Sequence, residues 1–419
     1  MPLWYLTRRS IANRALTVAL TALCVALSVA LLLGVERLRT DAREGFAQTL
    51  SGTDLVVGAR GGAVQLLLYA VFHIGDATSD MSWRSVQAIA GHPQVEWLVP
   101  LSLGDSHRGF RVVGTTAAFF ERYRYADGRP LRFASGAPFA DVFDAVVGAE
   151  VAARLGYAAG DAIVVAHGAG DIGFARHDDK PFTVVGVLER TGTPVDRSVF
   201  VSLEGIGAIH LDWAGGARMP GLNIPAGQVR RFDLTPKTVT AALVGLKSRT
   251  AVFRVQRYVN AYADEPLTAV LPGVTLQQLW GVVVIAERAL LAVSALVVLV
   301  GLAGLVAVVT ASLGERRREL AILRALGAGP RHVFALLVLE SLAIGLAGCV
   351  LGVLAVHGAA LALGPWLMSE HGLLMTARAP SANEWMLLGG VLAATLVASV
   401  VPGVRAYRQS LADGMTIRV

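Results

Sequence analysis

Glu315-Arg316-Arg317-Arg318-Glu319-Leu320-Ala321-Ile322-Leu323-Arg324-Ala325-Leu326-Gly327-Ala328 is a short, densely charged, helix-forming block between two long apolar runs. An arginine near the middle of a bilayer costs about 2.5–3.5 kcal/mol on insertion scales. Three in succession therefore lie in water. The apolar edge of Leu320, Leu323 and Leu326 suits such a helix to docking on a partner there.

The flanking sequence is unusually apolar, with 54% hydrophobic residues overall, too many for an ordinary soluble domain. The excess falls in four runs, 15–35, 289–313, 333–363 and 385–404, each long enough for the roughly 20 helical residues that cross about 30 Å of hydrocarbon. Only Glu340 and His357 place ionisable side chains inside them. Arg8, Arg9 and Arg14 precede the first run, Arg316, Arg317, Arg318, Arg324 and Arg331 fill the loop after the second, and Arg405, Arg408 and Arg418 follow the fourth. By the positive-inside rule, both termini and the loop 314–332 are cytoplasmic. Residues 36–288 are then external, as is the short loop 364–384 with its single Arg378. The first run is longer than the apolar core of a cleaved signal peptide, and Glu36-Arg37-Leu38-Arg39 follows it without a small-residue cleavage site, so it reads as an uncleaved anchor. Pro2-Leu3-Trp4-Tyr5-Leu6 makes residues 1–14 an amphipathic lead-in on the inner face, in contact with membrane lipid.

The net charge of +6 does not point to nucleic acid. The basic residues collect at the cytoplasmic membrane edges, where topology and anionic lipid account for them. Cys24 and Cys349 both fall within spans, so the external region has no disulfide, and both read as small packing residues.

The external segment is expected to be an α+β domain made of two αβ halves around a β-rich insert at about 130–236. Asp54–Val57, Glu96–Leu103 and Phe110–Thr116 read as strands. Ser82 caps a helix with Val86 and Ile89 on one face, stopped by Gly91 and Pro93. Before the second span, a strand at Ala241–Leu246, a helix with Val252, Val255, Val259 and Tyr262 on one side, and a strand at Leu267–Leu271 fit a βαβ crossover. In the insert, short β runs at Ile163–Ala166, Phe182–Leu188 and Ser198–Leu203 are the clearest, with a short helix at Ala149–Leu155 ended by Gly156. The apolar run Val64–Phe72 is too short to span a bilayer; burial in the domain core is favoured over contact with the outer leaflet or an apolar substrate.

No catalytic residues are assigned. The three lysines, Lys180, Lys237 and Lys247, lie in no G-x-x-x-x-G-K-[ST] loop, so ATP hydrolysis is expected from another polypeptide, and neither G-x-S-x-G nor a nucleophile–base pair occurs. His73, His92, His107, His167, His177 and His210 lie in the external segment, but none stands at tight ligand spacing. No metal site is therefore assigned, and solvated surface imidazoles are expected. Glu340 is an intramembrane acid near the basic cytoplasmic end, and structural pairing with Arg324 or Arg331 is favoured over proton relay. Gly345, Gly348 and Gly352, with Gly301 and Gly304, offer small faces for close helix contact.

The charged block, its continuation through Arg331-His332-Val333-Phe334 and Leu339-Glu340, the four-span order, and the Val147–Glu150 and Phe182–Leu188 segments together resemble the FtsX-like permease family, which includes the MacB efflux transporter and the LolC and LolE lipoprotein-release proteins. The resemblance covers essentially the whole chain. It implies a multi-pass bacterial inner-membrane permease of an ABC transporter, with a periplasmic domain between helices one and two. It also implies a separate ABC ATPase that uses ATP and Mg, while this chain binds no cofactor. A second permease chain, identical or related, and a periplasmic partner protein are further implied partners. Glu315, Arg316, Arg317, Arg318, Glu319 and Arg324 would contact the ATPase, and a long helix from Thr275 through Leu313 would carry its motion outward by mechanotransmission. The resulting function is export or extraction of a periplasmic or membrane-embedded substrate. A non-transporting switch acting on an external partner is one alternative; a metal-handling component, suggested only by the external histidines, is another.

Overall fold

The computed structural model describes residues 14–167, 177–214, 217–219, 222, 224–315, 322, 325, 327–371, 375 and 377–408. Helix α1 (Ala15–Gln48) leads to strand β1 (Leu55–Ala59), helices α2 (Ala63–Phe72) and α3 (Trp83–Ala90), and strands β2 (Val95–His107) and β3 (Phe110–Thr115). Helix α4 (Ala118–Arg122), strands β4 (Phe133–Gly136) and β5 (Asp144–Val147) and helix α5 (Ala149–Leu155) follow. Next come β6 (Ala162–Ile163), β7 (Ala166–His167), β8 (Phe182–Leu188), β9 (Ser198–Ser202) and helix α6 (Leu203–His210). Strand β10 (Ala241–Leu246), helix α7 (Val252–Asn260) and strand β11 (Leu267–Val270) precede the helices α8 (Pro272–Glu315), α9 (Pro330–His371) and α10 (Ala382–Arg408).

The chain forms two compact units, Arg43–Val283 and Met1–Ala42 with Val284–Val419. In the first, the eleven strands join one mixed sheet whose main path runs β11-β1-β10-β2-β3-β9-β5-β8-β4. Strands β10 and β11 both pair antiparallel with β1, so β10-α7-β11 is a βαβ unit split by one strand. Strand β2 pairs antiparallel with β10 on the side away from β1, which makes β1-α2-α3-β2 a second split unit interleaved with the first. The expected crossover is therefore present.

Each element forms for a local reason. The Ser82 hydroxyl caps α3 by accepting from the Ser85 amide, and the Glu265 carboxylate accepts from the Ser82 amide and both hydroxyls. Val255 and Val259 of α7 pack with Val86 and Ile89 of α3 on one face of the sheet. Strand β10 is buried at every position, as its unbroken apolar sequence requires of a central strand. The Val64–Phe72 run lies in α2 and packs into the domain core through Leu66, Leu67, Tyr69, Ala70, Val71 and Phe72.

Strand β2 carries the one-sheet architecture. Its first half pairs with β10 as far as Leu101, and its second half pairs with β3 from Ser102 onward. The register shifts between Leu103 and Asp105, around Gly104 at φ 150°. The β-rich part therefore begins at this bend, earlier than residue 130, because β3 pairs in parallel with β9 of the expected insert.

Among the described residues, four helices are long and apolar enough to cross a membrane: Ala15–Phe46, Pro272–Gly314, Pro330–Gly364 and Ala382–Arg408. Helix α8 runs for 44 residues, about 66 Å at 1.5 Å per residue. The second span thus belongs to a longer rod than 289–313, one that opens on Pro272, where a fixed φ suits the first helical turn.

Small residues let the helices of this unit approach closely. A methyl group on Gly348 would stand 2.5 Å from Val25 Cγ1, and one on Gly352 2.7 Å from Val29 Cγ1. Gly345 meets Thr395 and Gly301 meets Ser28 in the same way. Gly304 has nothing within 4 Å of its missing methyl and does not belong to this seam, contrary to expectation. The double change Gly348→Ala and Gly352→Ala should overpack it by about 1–3 kcal/mol per site and lower the melting temperature in detergent. Gly304→Ala should leave the melt unchanged, and identical melts for the two variants would contradict the close seam.

His73 closes α2 in the left-handed region at φ 56°, with Nδ1 2.8 Å from the Ser198 hydroxyl. Burial, followed by the Arg111 guanidinium, pushes its imidazole down to about 4. Unfolded, the same ring titrates near ~6.5, so unfolding takes up a proton between those values. This contribution to stability is complete above the unfolded pKa and is lost as pH falls towards the folded one. His73→Asn, which tolerates the left-handed backbone, should flatten the fall in melting temperature over that window. A slope equal to the parent's would remove His73 as its source.

Candidate functional site

Charged side chains meet at both ends of the apolar spans. Arg37, two residues beyond the first span, donates to both carboxylate oxygens of Glu384 at 2.8 and 3.3 Å, and both side chains are buried. This fork ties α1 to the start of α10 with the fixed bidentate geometry that favours arginine. Arg39 bonds Glu36 at 2.7 and 3.0 Å and lies 3.7 Å from Glu287 of α8, while Arg378 reaches Asp41 at 3.0 Å. A belt of ion pairs thus joins α1, α8, α10 and the segment before α10, just where the apolar sequence of the first span ends. From the sequence, Glu36 to Arg39 marked only a span boundary and Arg378 only a lone loop cation; nothing in their spacing reveals their partners.

At the other end, Arg14 Nη2 lies 2.5 Å from Glu340 Oε1. Glu340 is therefore paired with Arg14, a partner not foreseen in the sequence; the expected Arg324 lies outside the described residues. Arg14 immediately precedes α1, whose Ala22 and Val25 share a core with Val333 and Leu337 of α9, and this packing brings the two charges together.

Of the proposed docking residues, Glu315 ends α8. Arg316, Arg317, Arg318, Glu319 and Arg324 lie outside the described residues, as do Leu320, Leu323 and Leu326. Gly327 adopts φ 95°, a turn conformation natural to glycine, three residues before Pro330 opens α9.

In the external unit, the histidines divide into two groups. His73 contacts Ser198, His92 accepts from the Gln94 amide, and His107 bonds the Val164 carbonyl and the Tyr157 hydroxyl. His167, His177 and His210 instead converge, with one nitrogen from each within 4.8 Å of the others. They come from β7, the residues just before β8, and the end of α6. Their separation in sequence hides the cluster, which corrects the expectation of dispersed surface imidazoles. His167 stands opposite Asp105 across the β7–β2 pair, and its Nδ1 lies 2.9 Å from Oδ1 of that buried carboxylate. The His177 amide bonds the Val165 carbonyl at 3.0 Å. Burial first, then the His210 and His167 rings, push His177 down to about 4, and burial also lowers His210. Both rings are therefore neutral near pH 7.

A membrane unit of four apolar helices, held at its ends by ion pairs, together with a large mixed α/β domain inserted after the first helix, defines a multi-pass membrane protein of the permease class. The model of the MacB-like periplasmic core domain matches residues 15–262, and that of the FtsX-like permease C-terminal region matches residues 291–411. The chain belongs to this family of MacB- and FtsX-like permeases. It is 28% identical over 229 residues to an ABC transporter permease of Methanocaldococcus jannaschii, a match covering 54% of this chain and 51% of the relative. The chain thus spans about half the length of that curated relative. Among solved structures, the periplasmic region of MacB from Actinobacillus actinomycetemcomitans aligns with 55% of this chain and 94% of its own, at 10% identity and TM-score 0.33. The extracellular domain of the noncanonic ABC-type transporter YknZ from Gram-positive bacteria aligns with 52% and 99%, at 13% identity and TM-score 0.27.

The Arg37–Glu384 fork supplies a sharp test. Arg37→Ala leaves a buried carboxylate without its partner and should cost about 3–5 kcal/mol, read as a lower melting temperature and reduced yield in detergent. Replacing both residues together, Arg37→Met with Glu384→Leu, should recover most of that loss. A double variant no more stable than Arg37→Ala would show that the desolvated pair is not the cause.

Proposed function

We propose that this chain is the membrane subunit of an ABC-type machine whose ATPase is a separate polypeptide docking on residues 315–328. The observation that carries this reading is the continuity of α8, which runs unbroken from Pro272 to Glu315 and so reaches the first residue of the charged block. A straight rod transmits a displacement at one end to the other only if it does not fray and something grips it. Exposed arginines flanked by glutamates provide salt-bridging grips. Nothing in the 419 residues supplies a phosphate-cradling loop with its lysine.

The ion-pair belt supports the same mechanics. Arg37 fastened to Glu384, and Arg39 to Glu36 and Glu287, couple α1 to the start of α10 and to the body of α8. Motion imposed on the docking segment is then passed to the external domain as a concerted shift. In this reading the chain works beside a second permease chain in a bacterial inner membrane, with both termini cytoplasmic. It exports or extracts a periplasmic or membrane-embedded substrate without itself hydrolysing ATP.

Reversing charge at Arg316, Arg317 and Arg318 to glutamate should abolish co-purification with the ATPase while membrane insertion persists. Association at parent levels would remove the docking role. In reconstituted vesicles, ATP-dependent release of lipid, lipoprotein or an amphipathic drug supports transport, whereas ATP turnover without release of any of them counts against it.

A further inference from the structure

The geometry points to a divalent transition-metal site, suited first to Zn²⁺, formed by His167, His177 and His210 in the external domain. One nitrogen from each ring lies within 4.8 Å of the other two, and both separations from His167 are close to those around a single ion. His177 Nε2 and His210 Nε2 each lie 3.2 Å from His167 Nε2. Tetrahedral zinc with Zn–N bonds near 2.0–2.1 Å requires ligand nitrogens about 3.3–3.4 Å apart.

Tautomers decide what those nitrogens offer. His210 Nδ1 lies 2.7 Å from the Ile206 carbonyl, which can only accept, so Nδ1 carries the proton and Nε2 is bare. His167 Nδ1 faces the Asp105 carboxylate, which can only accept, so in the neutral ring Nδ1 carries the proton and Nε2 is bare. Two lone pairs facing each other at hydrogen-bond distance repel unless a cation lies between them. His177 donating from Nε2 would satisfy His167 but leave His210 Nε2 bare. A single ion satisfies all three Nε2 atoms together.

The surroundings match the arrangement that orients metal-bound imidazoles, in which the second ring nitrogen donates to a carboxylate or a backbone carbonyl. Asp105 plays that part for His167, and the Ile206 carbonyl for His210. Trp213 packs 4.4 Å from the His177 ring and 5.3 Å from the His167 ring, walling one side. His177 is buried, whereas His167 and His210 keep 25% and 32% side-chain exposure, so the site opens to solvent for entry and for a fourth ligand. The nearby buried Lys180 ammonium is paired with Asp212 and lies 3.7 Å from Asp179, so its charge is offset locally. Three imidazole nitrogen ligands favour zinc and its neighbours over calcium or magnesium, which seek oxygen. A bound ion would fasten β7, the entry to β8 and the end of α6 to one point.

The test uses the full-length chain, free of any polyhistidine tag, in detergent, titrated with Zn²⁺ in competition with a chromophoric chelator. One ion per chain at micromolar affinity or tighter is expected, with Co²⁺ in its place giving the intense visible bands of a tetrahedral site. His210→Ala and His167→Ala, both at partly exposed positions, should weaken binding at least ~100-fold and abolish the Co²⁺ bands while leaving the circular-dichroism spectrum intact. Asp105→Asn should weaken it by about 10–100-fold. Parent affinity no tighter than millimolar, or His167→Ala and His210→Ala variants within threefold of the parent, would overturn the assignment. If buried His177→Ala fails to fold, the His167 and His210 variants with the Co²⁺ spectrum decide alone.

Discussion

Inside a bilayer, apolar helices gain little from burying more hydrocarbon, because lipid tails are as apolar as leucine. Close packing and the few polar contacts must hold the helices together instead. The membrane unit depends on one such seam. Gly348 and Gly352 of α9 let Val25 and Val29 of α1 approach to a distance that any methyl group would prevent. The same approach seats Arg14 against Glu340 at one end of α1, and the ion pairs of Arg37 and Arg39 lock its other end. Dispersion across the glycine seam and the buried charges reinforce each other, since an arginine fork can be desolvated only where the helices already touch.

The external domain meets a different constraint. Its sheet combines two split βαβ units with a β-rich part, and a single strand, β2, belongs to both. Gly104 lets that strand change partners midway, from β10 to β3. Continuity of one strand is what joins the two parts into one sheet. It also carries Asp105, just past the bend, into the cross-strand position opposite His167. The bend that unites the sheet therefore also places Asp105 beside the histidine cluster.

Much of the fold was legible in the sequence. Four apolar runs specify the spans, because the bilayer punishes misplaced charge by several kcal/mol per residue. Ser82, Gly91 and the Val252–Val259 spacing mark α3 and α7 through local capping and helical periodicity, which act within a few residues. The partners of Arg37, Glu340 and His167 were not legible. Glu384 lies 347 residues from Arg37, Arg14 lies 326 from Glu340, and His210 lies 43 from His167.

The sequence by itself determined that this chain has four stretches able to cross a membrane, that a large α/β domain follows the first, and that a densely charged segment lies between the second and third. Hydropathy, capping and helical period are local properties, fixed by neighbours along the chain. Only the tertiary structure decided which glycines pack, which arginine neutralises Glu340, and that three dispersed histidines share one point. Contacts of that kind arise when remote segments are brought together by sheet register and helix packing, and no spacing along the chain encodes them.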